Sequence, residues 1–259
     1  MQLEPKGYLL HTNSEGYFKN PFSYEDINRD SQEILQKVID LLLKHNKERI
    51  DSIYVRGSVA SNTKINNYSD IDLIVIYQDS LQKIPNTIEW NNQIFRLDID
   101  QLEMTSFQDL YHHFGTHFML KTQSVHLYGK NRIPEIQDFQ ASKKTASKFG
   151  HNLPKLITKT KIFVEEEPQQ LANITQWISR AIIRGTITLF MDREHIYTRD
   201  LVYCYQYFAK YYPEHESQMN LLVEQALQPT LSKEELIAFL DDFGMNLAGI
   251  IEEYHKRND

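Results

Sequence analysis

Apolar and polar positions alternate through the first half of the chain and recur every three or four residues through the second. The runs Ser52–Arg56, Asp70–Tyr77 and Gln93–Leu102 are rich in β-branched and aromatic residues, and each reads as a strand. A helix precedes them, with Ser23 as its N-cap and Ile27, Ile34, Val38 and Leu41 or Leu42 along one face. Thr105 or Ser106 opens a further helix through about Leu120, and Val125–Gly129 closes the set as a short strand. From Gln140 onward the pattern is helical. Pro168 sits where a first turn tolerates it, ahead of Ala172, Ile174, Trp177, Ile178, Ala181, Ile182, Ile187 and Leu189 at helical spacing. Helices are also predicted over Thr198–Tyr211, Glu214–Ala226 and Ser232–His255, the last opened by the capping signature Ser232-x-x-Glu235. The fold class expected is therefore an α/β (α+β) domain with a small mixed sheet over residues 1–135, then an all-α helical bundle over residues 136–259.

Composition narrows this picture. No stretch reaches the roughly eighteen apolar residues of a membrane span, and the polar start Met1–Lys6 lacks a signal peptide's apolar region, so the reading is cytoplasmic with no membrane partner. The single cysteine, Cys204, can form no internal disulfide and reads as a helix packing residue. A net charge of -7, with both signs dispersed, argues against an extended nucleic-acid footprint and suits a small or cationic second substrate.

The candidate chemistry lies on the strands. Asp70 and Asp72 are two apart, so they share a face while Ile71 and Leu73 enter the core. Adjacent carboxylates repel unless a cation neutralises them, and Mg²⁺ with its oxygen ligands suits the pair. Asp98 and Asp100 form a second such pair, with Arg96 on the same face. Gly57-Ser58, at the end of the first strand, offers backbone N–H donors that phosphate oxygens can approach because glycine has no side chain. Lys64 is the nearest downstream cation within reach of a phosphate. An Asp-x-Asp pair standing alone would read as a solvated strand. The histidines include no His-Glu-x-x-His and read as surface or packing residues, and Glu165-Glu166-Glu167 reads as a solvated helix terminus.

Gly57-Ser58, a spacer of about ten residues, Asp70-x-Asp72 and one further acid on a later strand together resemble the DNA polymerase β nucleotidyltransferase superfamily, over roughly Ile53 to Gly129. The layout of such a domain ahead of a helical one is similar to the streptomycin and spectinomycin adenylyltransferases, in which Arg96-Leu97-Asp98 matches the strand bearing the third acid. The resemblance implies two Mg²⁺ ions held by Asp70, Asp72 and Asp98, with Asp98 favoured over Asp100. It also implies nucleotide contacts at Gly57, Ser58, Ser69 and Lys64, and ATP as the donor of AMP to a hydroxyl of a small molecule, an antibiotic of the aminoglycoside type being the one suggested. Relatives often carry arginine directly after Gly-Ser, where this chain has Val59.

Two rival classes share these residues. One is a transferase acting on a protein or RNA hydroxyl; the other is a regulatory, toxin-partner type of nucleotidyltransferase-fold protein. A kinase is disfavoured, because Gly-x4-Gly-Lys-Ser/Thr is absent.

Overall fold

A computed structural model describes residues 4–63, 70–109, 112–150 and 152–256. The chain divides into two compact units, one formed by Phe18–Phe139 and the other by Met1–Tyr17 together with Gln140–Asp259. In chain order the first elements are β1 (Leu10–His11), α1 (Arg29–Asn46), β2 (Ile50–Arg56), α2 (Gly57–Ala60), β3 (Ile71–Tyr77), β4 (Thr87–Trp90), β5 (Gln93–Glu103), α3 (Met104–Phe107), α4 (Phe114–Gln123) and β6 (Val125–Gly129).

In the Phe18–Phe139 unit the strands form one sheet of order β4-β5-β3-β2-β6. It is mixed, as expected: β3 and β5 run parallel, and the other neighbours antiparallel. Ile34, Leu35, Val38, Ile39 and Leu42 of α1 are buried against Ile53, Val55, Ile71, Leu73, Val75 and Leu97, which all project from one face of the sheet. The helix starts later than the sequence suggests. Asn28, not Ser23, is the N-cap, its side chain accepting from Ser31 N at 2.9 Å, whereas the Ser23 hydroxyl donates to Asp26. Ile27 is nevertheless buried in the same core. Gly129 ends β6 at φ +79°, and a Cβ there would run into the carbonyl of Asp51. This close approach of the end of β6 to the start of its antiparallel neighbour β2, together with the positive φ, accounts for the glycine.

One strand of this sheet, β4, is not expected from the sequence pattern. β4 pairs with β5 through the two-residue turn Asn91-Asn92, both at positive φ (50° and 59°), the left-handed pair that a type I′ hairpin demands and asparagine tolerates. The helix expected from Thr105 to Leu120 is broken into α3 and α4.

The second unit holds α5 (Lys143–Gly150), α6 (Leu153–Glu166), α7 (Leu171–Gly185), α8 (Met191–Glu194), β7 (Ile196–Tyr197), α9 (Leu201–Tyr211), α10 (Glu216–Leu227), α11 (Lys233–Phe239) and α12 (Met245–Lys256). Ile178, Ile182, Leu189, Phe190, Cys204, Phe208, Met219, Leu240 and Leu247 are fully enclosed within it. Ser232 and Glu235 form the predicted reciprocal cap ahead of α11, and a π-helical turn at Leu240–Gly244 joins α11 to α12. β1 pairs with β7, bringing residues near the start of the chain into the helical unit. Among the described residues no helix is long and apolar enough to cross a membrane.

Candidate active site

The sheet face opposite α1 is charged because β2, β3 and β5 contribute their even-numbered side chains to it near one end. Register sets the arrangement. Arg56 lies across from Asp72 in the antiparallel pair, and Asp72 lies across from Asp98 in the parallel pair, so the three stand in one row over adjacent strands. Asp100, two residues along β5, stands one row deeper, across from Ile74. Asp70, just before β3, faces Arg96, whose Nε is 3.8 Å from its carboxylate.

Arg56 gathers the acids. Its Nη2 lies 3.0 Å from Asp100 Oδ2, 3.7 Å from Asp72 Oδ1 and 3.8 Å from Asp98 Oδ2. Only the first is a hydrogen bond. The guanidinium is largely withdrawn from water, its side chain 14% exposed, while Asp72 is 25% and Asp98 52% exposed. Carboxylates on one small patch of sheet repel one another, and an enclosed guanidinium loses hydration, so each stabilises the other. The Nε of Arg56 is buried without a hydrogen-bond partner among the described residues.

Arg56 is not among the residues expected from the sequence, where the cation is sought after Gly57-Ser58 and not before it. Its parity was a usable signal: it ends β2 on the face that carries the acids, immediately ahead of the glycine.

Gly57 begins α2 at φ +70°, a left-handed conformation, and a Cβ there would collide with the Asp72 carboxylate. The glycine thus serves both the sharp turn out of β2 and the seating of Asp72. Ser58 is half-buried in the first turn of α2, and its carbonyl accepts from Thr63 N at 2.9 Å. Lys64 and Ser69 lie outside the described residues.

Of the acids expected from sequence, Asp72 and Asp98 are side by side, and Asp70 sits at the edge of the same face paired with Arg96. Among the described residues no group of three or more His, Cys, Asp or Glu is arranged to hold a metal ion. The chemistry of the donors nevertheless fits Mg²⁺, which is typically bound by one or two carboxylates with waters and substrate phosphates completing its shell. Asp72 and Asp98 supply such a pair.

The other candidates take packing or surface roles. His117 is buried with its ring nitrogens against the carbonyl oxygens of His113 and Phe107, and the exposed His112 pairs with Asp109. Cys204 is enclosed in the helical core, and burial pushes its thiol up to about 12. Among the tyrosines of α9, Tyr205 donates to Glu216, Tyr211 donates to Glu194, and Tyr207 stacks on Phe190. Glu165 pairs with Lys233.

Residues 23–121 match the family model described as "Nucleotidyltransferase domain". Among solved structures, a spectinomycin adenyltransferase, AAD(9), from Enterococcus faecialis, determined with ATP and spectinomycin, superposes with a TM-score of 0.50. It is 15% identical, over 85% of this chain and 99% of that one, a likeness of fold. A nucleotidyltransferase-like protein from Exiguobacterium sibiricum 255-15 gives a TM-score of 0.37 at 10% identity, over 86% of this chain and 77% of that one. No curated protein matches the chain significantly in sequence.

Proposed function

We propose that this chain, whose residues 23–121 match a nucleotidyltransferase domain, is a transferase of the polymerase-β type that moves AMP from ATP to a hydroxyl of a small molecule, with an aminoglycoside-type antibiotic as the acceptor class. The observation that carries the reading is the row Arg56–Asp72–Asp98 beside Gly57-Ser58. Two carboxylates on adjacent parallel strands stand next to a glycine turn whose backbone can approach phosphate. The helical unit that follows, and the fold shared with an adenyltransferase solved with ATP and spectinomycin, support the choice of donor and acceptor class.

In this reading Asp72 and Asp98 would hold Mg²⁺, with Asp70 at the edge of the same face as a further ligand. When bound, Mg²⁺ neutralises the triphosphate and lowers the pKa of the attacking hydroxyl. Asp98 would accept the proton of the acceptor hydroxyl, a role its greater exposure, 52% against 25% for Asp72, supports. Asp98 is preferred to Asp100 for this role because Asp98 stands in register with Asp72, while Asp100 is engaged by Arg56. Gly57 and Ser58 present backbone N–H groups, and Ser58 its hydroxyl, to the phosphates.

The test is pyrophosphate release from ATP, GTP, CTP and UTP with Mg²⁺, against streptomycin, spectinomycin, other aminoglycosides, lincosamides, bulk protein and RNA. Release that requires ATP and one aminoglycoside-type acceptor is the expected result. Release driven by protein or RNA would replace the acceptor class, and silence with no nucleotide binding by calorimetry would replace the enzymatic reading with a regulatory one. Asp72→Asn should lower transfer by more than about a hundredfold with far-ultraviolet circular dichroism unchanged, since it removes a ligand while relieving repulsion.

A further inference from the structure

We infer that Arg56 is a built-in counter-cation, anchored by Asp100, that competes with the divalent ion for Asp72 and Asp98 and thereby sets how tightly that ion binds. The inference rests on the reading of Asp72 and Asp98 as metal-binding carboxylates.

Register makes the competition unavoidable. Arg56 is the cross-strand partner of Asp72, so its Cα is fixed one strand spacing away, roughly 4.8 Å, and its side chain runs along the same face. The Nη2 reaches past Asp72 to within 3.8 Å of Asp98 and donates at 3.0 Å to Asp100. A divalent ion held by Asp72 and Asp98 would therefore share those carboxylates with a guanidinium already within 4 Å of both. Like charges that close repel one another, and the guanidinium would weaken the hold of the carboxylates on the ion.

Asp100 decides whether the guanidinium can stay. Its hydrogen bond holds one end of the fork away from the row, so Arg56 can give up its two longer contacts without becoming an unpaired charge. The Nε, buried without a partner among the described residues, contributes nothing that resists this shift. Arg56 is thus a positioning residue. It keeps the acids gathered and charge-balanced, and it raises the concentration at which a free divalent ion settles. A nucleotide arriving with its own Mg²⁺ brings phosphate charge that the same guanidinium can face, so the competition acts on the bare ion most strongly.

The experiment measures binding of Mn²⁺ alone, by electron paramagnetic resonance and calorimetry, to the full-length protein and to Arg56→Gln. The expected result is Mn²⁺ affinity about tenfold higher in Arg56→Gln, together with a larger rise in melting temperature on adding Mn²⁺. Asp72→Asn in the otherwise unchanged protein should abolish that binding, which ties the signal to this site. Equal or weaker Mn²⁺ binding in Arg56→Gln overturns the counter-cation role while leaving the carboxylates as metal ligands. Absence of Mn²⁺ binding in both proteins overturns the carboxylate reading as well. Should Arg56→Gln fail to fold, Arg56→Met, which removes the charge but keeps an unbranched stem of similar length, should bind Mn²⁺ about tenfold more tightly than the unchanged protein; unchanged or weaker binding there overturns the inference.

Discussion

Gly57 carries a constraint that a motif match alone does not convey. Its φ of +70° costs an L-residue roughly 1–2 kcal/mol, and its missing Cβ is what lets the Asp72 carboxylate settle against the turn. Gly57→Ala should therefore lower stability by about 2 kcal/mol in chemical denaturation and lower transfer by about a hundredfold, because a displacement near 1 Å at a reacting group has that effect. Normal turnover in that variant would mean that Asp72 is not held where it matters. Such residues were readable in advance: period-two alternation puts Asp70, Asp72, Asp98 and Asp100 on one face without any coordinates. Arg56 obeys the same parity, but the motif pattern points to the residues after Gly-Ser and not to the one before it. Alternation alone leaves Asp98 and Asp100 equivalent and only the resemblance favours Asp98; which of them stands across from Asp72 depends on parallel register, which no single strand encodes.

At the scale of elements, the long β-branched strands and the amphipathic α1 follow from their patterns, whereas β4, only four residues long, is defined by its asparagine turn and its partner. The start of the sheet is secured by a different device. Arg132, just past β6, clasps Asp51 of β2 with Nε to Oδ2 at 2.9 Å and Nη2 to Oδ1 at 2.6 Å, and its backbone N–H donates to the Tyr54 hydroxyl. Both side chains are largely enclosed, at 15% and 10% exposure. The fork from Arg132 holds the Asp51 carboxyl below its ordinary range, outweighing the opposing effect of burial. A carboxylate depressed in the folded state contributes stability in full above its unfolded pKa, about 3.9, and loses it as pH falls through the lower folded value. Asp51→Asn should cost about 2–3 kcal/mol at neutral pH. In urea titrations the gap between the two proteins should stay constant from pH 8 to about 5 and shrink below about pH 4. A gap that persisted undiminished at pH 3 would assign Asp51 a packing role instead.

For the whole molecule, the unexpected connection is the return of the N-terminal residues to the helical unit. A division at residues 135 and 136 follows from where the strand pattern stops; the structure instead groups Met1–Tyr17 with Gln140–Asp259. A two-residue strand leaves no periodicity to read, and its partner is more than a hundred residues away, so the pairing of Leu10 with Tyr197 and His11 with Ile196 could come only from tertiary structure. Leu10 is buried, the Thr198 hydroxyl donates to the Tyr8 carbonyl, and Asp200 accepts from Lys6 N at 2.9 Å and Gly7 N at 2.7 Å. The same Asp200 caps α9 through Val202 N and Tyr203 N. The Phe18–Phe139 unit is closed independently, its first and last residues joined by Phe18 N donating to Phe139 O at 2.9 Å. Deleting residues 1–17 should therefore strip the far end of the sequence, not the sheet beside the cut. Hydrogen exchange is the measurement: amides of β7 and the first turn of α9 should lose protection by at least about tenfold, since a buried leucine and several hydrogen bonds go with the segment, while β2, β3 and β5 exchange as before. Equal loss across that sheet would show that the first residues stabilise the chain as a whole, and unchanged protection in β7 would show that the β1 pairing contributes nothing to the helical unit.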